Sequence, residues 1–255
     1  MSTPEHPLRD RILLVTGAGD GLGKAICLDA ARQGATLILL GKTVRKLEAV
    51  YDSIEAAGGA QPAIFPIDLA KAGSADVDSL AAAIKTQFGA LHGLVHGAAM
   101  LGALSPIAHY DATLWTQVLH VNLTIPFLLT QACLPLLNDS DRPVALFISD
   151  PLIALGKPYW GAYAAAKAGL EQIAAMAQIE NAAHTTLRIH VVRPPPMQTR
   201  LQAKAYPGLD PNRWAKPDDV AGVITRLLHP NCPTTRLTVT LHDPCPEDSQ
   251  GCLTL

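Results

Sequence analysis

Ile12-Leu13-Leu14-Val15-Thr16-Gly17-Ala18-Gly19-Asp20-Gly21-Leu22-Gly23 decides how the rest of the chain is read. A short apolar run gives way to glycines at 17, 19, 21 and 23, and amphipathic periodicity begins directly beyond them. Apolar residues without alternation are what a strand buried on both faces requires. Strand, glycine-rich turn and helix, in that order, bring backbone N–H groups and a helix N-terminus to one point, an arrangement suited to a pyrophosphate. The glycines do not match GxGxxG literally, and a tight β–α turn would look similar. Their place directly after the first strand favours the phosphate reading.

The same alternation runs outward through the chain. Apolar runs at Ile12–Thr16, Thr36–Leu40, Ala63–Ile67, Leu91–His96, Val144–Ser149, Arg188–Arg193 and Leu237–Leu241 are expected as strands. Helical periodicity fills 21–33, 43–57, 74–88, 111–137, 160–183 and 217–228. Strands alternating with helices predict an α/β fold, a parallel sheet with helices on both faces. Pro126 and Pro135 predict that the fourth helix is kinked or shorter than drawn. Gly34 and Gly58-Gly59 fall where helix ends favour positive φ. No linker or repeat divides residues 1–255, so one domain is expected. Pro194-Pro195-Pro196 and the polar stretch to Pro217 follow the sixth strand. Ligands bind beyond the carboxyl ends of such strands, which makes 194–217 the expected substrate lid, with a plain surface loop as the alternative.

Composition narrows the partners. A net charge of −2 offers no case for nucleic acid or an anionic membrane surface. Residues 1–10 lack the apolar stretch of a signal peptide, and no run is expected to reach the length of a membrane span. Cys27, Cys133, Cys232, Cys245 and Cys252 have no metal-like spacing and point to a reducing, cytoplasmic setting; Cys245 and Cys252 could pair if the tail were oxidised. His96, His109, His120, His184 and His190 share no common spacing, so no metal is expected, and His96 reads as a packed histidine at a strand end. A small-molecule substrate remains.

Two further places carry chemistry. The second strand ends in Leu39-Leu40-Gly41-Lys42, with no acid from Thr36 to Val44. An acid here serves the ribose 2′-OH of NAD, whereas a basic residue suits a 2′-phosphate, so NADP(H) is favoured, with Lys42 as its ligand or as a solvated loop lysine. Asp68, closing the third strand, could accept from an adenine amino group or cap the next segment. Tyr163 and Lys167, four residues apart on a helix, point the same way. An ammonium beside a phenol is expected to pull its pKa down toward neutrality, as an acid/base for hydride transfer needs.

These features together resemble the short-chain dehydrogenase/reductase family over almost the whole chain. The TGxxxGxG loop is intact from Thr16 to Gly23, Asn122 matches the family's asparagine in the fourth helix, and Tyr163 and Lys167 match its YxxxK. The resemblance implies a doubly wound, seven-stranded Rossmann domain and hydride transfer with Tyr163 as proton donor. Lys167 would hold the ribose, and Asn122 would anchor a water. It further implies that Gly17, Gly19, Asp20, Gly21, Leu22, Gly23, Lys42, Asp68, Leu69, Gly97, Ala98, Lys167 and Thr199 hold the cofactor. Pairing of the 111–137 and 160–183 helices into a homodimer or homotetramer is also implied.

Three departures stand out. His96-Gly97-Ala98-Ala99 replaces the family's NNAG, so local hydrogen bonding near the nicotinamide must be made otherwise. Pro194-Pro195 replaces its PG, which stiffens that loop. Asp150 stands where a serine is expected. An ionised aspartate accepts and cannot donate, and its charge would raise the tyrosine pKa. Ser149 could substitute only if the strand bulged. Asp150 is therefore either protonated by burial, donating as the serine would, or matched to a substrate with N–H groups or a ring nitrogen that takes a proton. The pteridine reductase branch is similar in carrying Asp here, although it usually has Arg where this loop has Gly21. Tyr159, Trp160 and Trp214 could shape a pocket for a flat ring or simply pack. The expectation is an NADP(H)-dependent oxidoreductase acting on a carbonyl or an imine/pterin-like substrate; the alternative is an NADP(H)-binding sensor or scaffold whose chemistry has decayed.

Overall fold

A computed structural model describes residues 6–183 and 185–241. The proposed Cys245–Cys252 pair and His184 lie outside the described residues. Seven strands, β1 (Ile12–Thr16), β2 (Thr36–Gly41), β3 (Ala63–Pro66), β4 (Gly93–His96), β5 (Val144–Ile148), β6 (Arg188–Arg193) and β7 (Thr238–Thr240), form one parallel sheet in the order β3-β2-β1-β4-β5-β6-β7. The order reverses between β1 and β4, and a doubly wound sheet opens its crevice at that switch point. Leu13↔Leu37 and Leu13↔Gly93 fix the register on either side of β1.

The helices are α1 (Gly21–Arg32), α2 (Val44–Ala56), α3 (Ser74–Phe88), α4 (Ala112–Leu119), α5 (Ile125–Asn138), α6 (Gly161–Asn181), α7 (Arg200–Ala205) and α8 (Pro217–Leu227). Successive strand residues face opposite sides of the sheet. Leu13, Val15, Leu37 and Leu39 accordingly pack with α1 and α8 residues such as Ile26 and Ile224. Leu14, Ile38 and Leu40 lie in the other layer with Ile84, Leu129 and Leu170 of α3, α5 and α6. Both layers are dry, which is why the strands read as apolar runs.

Several expectations shift at their edges. β4 starts at Gly93 because the Leu91 amide bonds to Ser140 Oγ at 3.2 Å, outside the ladder. Gly34 and Gly58 have φ of 96° and 76°, but Gly59 has no positive φ; it is glycine because a Cβ would sit 2.8 Å from Ile54 Cγ2. The expected 111–137 helix is two α-helices joined by a π turn, His120–Thr124, with Pro126 in the first turn of α5. Contrary to the expectation of no such run, Ala112–Asn138 is long and apolar enough to cross a membrane, at mean hydropathy 1.3. Part of its apolar surface is core, with Leu129, Cys133 and Leu137 fully buried against the sheet, while Phe127 is exposed.

Candidate active site

A cleft of about 590 Å³ runs along the carboxyl ends of the strands at the switch point. At its floor, Gly17 adopts φ 72°, and a Cβ there would lie 3.0 Å from Ala98 Cα; at Gly23 a Cβ would lie 2.4 Å from the Gly17 carbonyl oxygen. Only glycine lets this loop turn so closely onto the start of α1. The loop leaves the α1 N-terminus facing the cleft, where unpaired N–H groups favour an anion. Thr16 ties the 95–98 turn, where the family's asparagines are missing, to the end of β1. Its hydroxyl accepts from the Gly97 and Ala98 amides, both at 3.0 Å, and donates to the Val95 carbonyl at 3.3 Å.

Gly17, Gly19, Asp20, Gly21, Leu22, Gly23, Lys42, Asp68, Leu69, Gly97, Ala98 and Thr199 all line this cleft, as do Asp150, Tyr163 and Lys167. Asp68 caps the next turn through Ala70 N at 3.2 Å while facing the cleft, so its two expected roles do not compete. Asn122 is not on the cleft wall. Fully buried in the π turn, it donates to the Met100 and Val118 carbonyls at 2.8 Å and accepts from Met100 N at 3.1 Å. Its side chain thus clamps the 97–102 loop, and any water it anchors must be held by its main chain.

Cations that the motifs do not reveal also gather here. Asp20, the N-cap of α1, pairs with Lys46 of α2 at 2.5 Å and with Arg200 of α7 at 3.2 Å. Partial burial works to raise the Asp20 pKa, yet bonds from Lys46 and the Gly21 amide, with the Lys46 and Arg200 charges, hold it below the usual carboxylate value. Lys46 is four residues beyond Lys42, a spacing that could have flagged it; Arg200 could be found only from the folded 194–217 segment. Of residues 194–217, Pro194–Met197, Thr199, Arg200, Leu201, Gln202 and Tyr206 line the cleft, whereas Trp214 does not.

At the other end of the cleft Tyr163 Oη donates to Asp150 Oδ2 at 3.2 Å, and Asp150 Oδ1 accepts from Leu152 N at 2.9 Å. Lys167 Nζ donates to the Ile148 carbonyl at 2.7 Å and lies 5.7 Å from the centre of the Tyr163 ring. Ser149 does not take the Asp150 position: its hydroxyl turns away to Glu171 at 2.6 Å. Trp160 is buried and packs edge-on against Tyr163 with ring centres 5.7 Å apart. His96 is a packed histidine, bonded to Thr130 Oγ1 at 3.0 Å and pushed down to about 3 by burial and the Lys167 charge.

The electrostatics overturn one expectation. Burial, then the charge of Asp150 and the hydrogen bond to it, hold the Tyr163 phenol well above its ordinary value rather than near neutrality. Burial lowers Lys167 to about 8, against the opposing charges of Asp150 and Glu171. Burial also raises the Asp150 carboxyl, against bonds from Leu152 and Tyr163 and the charges of Lys167 and Lys157. In this state the site holds a protonated phenol beside a carboxyl group. A protonated phenol is an acid in waiting, not a base.

A model of the short chain dehydrogenase family matches residues 11–210. The oxidoreductase YciK of Escherichia coli (strain K12) is 38% identical over 213 residues, covering 84% of each chain. Solved structures agree in fold. A short chain dehydrogenase from Escherichia coli CFT073 complexed with NADPH superposes with a TM-score of 0.88 at 36% identity, over 93% of this chain and 99% of that one. One from Shigella flexneri 2a complexed with NADP gives 0.88 at 34% identity, over 92% and 98%. The chain belongs to the short-chain dehydrogenase family, a family of oxidoreductases.

Proposed function

We propose that this chain is an NADP(H)-dependent reductase of a carbonyl or imine substrate, with Tyr163 as the proton donor. The observation that carries the reading is the Tyr163–Asp150 hydrogen bond, set beside Lys167 at the mouth of a glycine-floored cleft. The cleft fits a dinucleotide: Gly17 and Gly23 let the loop fold tightly onto the backbone at the start of α1, leaving that helix end open to the cleft, and β2 ends without an acid. Lys42, Lys46 and Arg200 add positive charge there. The bound cofactor would supply the hydride. Thr16 and Asn122 hold the loop on which Gly97 and Ala98 present their backbone, and Lys167, lining the cleft 5.7 Å from the centre of the Tyr163 ring, would hold the ribose.

The substrate end is apolar. Met100, Leu152, Leu201 and Tyr206 wall it, with Asp150 the carboxylate at Tyr163. Such a pocket takes a flat ring between its apolar walls, and an N–H or protonatable ring nitrogen would find its partner in Asp150. That preference supports a pterin-like imine among the candidates. The Pro194–Tyr206 part of the proposed lid lies against the glycine loop through Arg200 and Thr199, and there it would exclude water from the site.

The test is NADPH consumption against dihydropterins, quinones, aldehydes and ketones. Binding of NADPH with no turnover, unaffected by Tyr163→Phe, would support the sensor or scaffold instead, for which the altered 96–99, 150 and 195 positions speak. NADPH should bind more tightly than NADH. Lys42→Ala should narrow the gap roughly tenfold, the scale of one partly exposed charged contact. Equal affinities in the unmodified protein would sink the NADP(H) assignment.

Assembly is proposed from the same helices as in the family. Phe127 on α5 and Met176 and Ile179 on α6 are 44%, 46% and 77% exposed, an apolar face that a second copy would cover. Light scattering should show a dimer or tetramer that Ile179→Lys weakens; a monomer at all concentrations counts against it.

A further inference from the structure

Tyr163, Lys167 and Glu171 stand four residues apart along α6, so their side chains form one row on the face that meets the end of β5. Each makes one bond to consecutive residues there. Tyr163 donates to Asp150, Lys167 donates to the Ile148 carbonyl, and Glu171 accepts from Ser149 Oγ. Three turns of helix are thereby joined to residues 148, 149 and 150. The first two rungs belong to the chemistry proposed above; the third does not touch it.

The third rung is strongly built. Glu171 Oε1 also accepts from Arg193 Nε at 2.8 Å, and Oε2 accepts from the Arg193 guanidinium at 2.5 Å. The Glu171 and Arg193 side chains are 16% and 27% exposed, and Ser149 is buried. A two-pronged, largely covered carboxylate–guanidinium pair holds its geometry far better than a surface ion pair. Arg193 ends β6 and directly precedes Pro194, the first residue of the lid segment.

We propose that Glu171 is a positioning residue whose bonds to Ser149 and Arg193 fix the register of α6 against the ends of β5 and β6, and so place Tyr163 and Lys167 for proton transfer. The inference rests on the reading of Tyr163, Lys167 and Asp150 as a reductive site. Its reason is geometric. Leu170, Ala174 and Ala177 pack the catalytic helix on the sheet without directional bonds. Among the described residues, its only other side-chain hydrogen bonds to the end of β5 come from the two groups that must be free to exchange protons with substrate and solvent. A rung outside the chemistry keeps the register while those two bonds change. Misplacement of a reacting group by an ångström is enough to cost large factors in rate.

Glu171 also acts on Lys167 by charge. The groups facing the Lys167 ammonium are Asp150 and the Ile148 carbonyl from β5, neutral His96 from β4, and Tyr163 and Glu171 from its own helix. Of these, Asp150 and Glu171 favour the protonated lysine.

Two variants separate placement from charge. Ser149→Ala removes the bond from Glu171 to the end of β5, leaves the Arg193 pair and keeps every charge. Glu171→Gln keeps size and an acceptor oxygen and loses the charge. Both should lower kcat for NADPH-dependent reduction roughly tenfold to a hundredfold, with KM for NADPH little changed. In Glu171→Gln alone the alkaline limb of the kcat profile should move to lower pH, because Lys167 loses a stabilising charge. Hydrogen exchange of residues 146–153, measured without substrate, should be faster in Ser149→Ala. Wild-type kcat in both variants, or an unmoved limb in Glu171→Gln, overturns the inference. If the unmodified protein reduces nothing, the reductase reading has failed, and unchanged exchange at 146–153 would then overturn the register role separately.

Discussion

Tyr163→Phe should abolish reduction while leaving NADPH binding intact. The phenol is the acid at the cleft that is both protonated and aimed at the substrate end, and the groups around it are poor replacements. Asp150 lies behind the hydroxyl at 3.2 Å, Lys167 is committed to the Ile148 carbonyl, and Ser149 points away to Glu171. Loss of a positioned acid costs on the order of 10²–10⁴-fold in kcat. Phenylalanine fills the same volume, so the packing of Trp160 against the ring is retained. Single-turnover NADPH oxidation is the measurement, with NADPH fluorescence titration to show that binding survives. Residual turnover above one tenth of wild type would mean that Asp150 protonates the substrate directly.

Much of this site was legible in the sequence, because its motifs are local. The glycine loop, the missing acid after β2 and the Tyr163–Lys167 spacing each depend on residues within a turn or two of one another. The succession of strands and helices followed from the same alternation, whereas the order β3-β2-β1-β4-β5-β6-β7 appears only in the folded sheet. What could not be read depends on contacts between distant segments. Lys46 and Arg200 meet at Asp20 although one is on α2 and the other on α7. Asn122 was identified by type and position, yet its partners, Met100 and Val118, appear only once the π turn forms. The tyrosine shows the limit most clearly. Spacing placed the ammonium near the phenol, but the direction of the pKa shift is decided by burial and by Asp150, and neither depth nor relative distance is written in YxxxK.

That direction leads to the second large effect: Asp150→Ser should open the oxidative reaction at a lower pH. To oxidise an alcohol the site must take a proton, so Tyr163 must first be a phenolate. In the unmodified protein, burial opposes phenolate first, and the Asp150 charge and its hydrogen bond oppose it further. The oxidative rate with NADP should therefore keep rising beyond pH 10, and at neutral pH the protein should run as a reductase. Serine removes the two causes that Asp150 contributes and leaves burial. The phenol pKa then falls, and the oxidative limb moves to lower pH. Each unit of movement corresponds to about 1.36 kcal/mol, a tenfold gain in oxidative rate at any pH on the rising limb. Lys167 also loses a favourable charge, so its own pKa falls, which caps the benefit at high pH. Asp150→Asn separates charge from hydrogen bonding, because the amide keeps an acceptor oxygen for the phenol without the negative charge. Its limb should lie between those of the wild type and of Asp150→Ser. The check is a set of pH–rate profiles for oxidation of whichever alcohol or amine the reduction yields. Superimposable profiles for all three proteins would mean that the Asp150 carboxyl is already neutral when substrate is bound, and that it acts as a donor in the way the family's serine does.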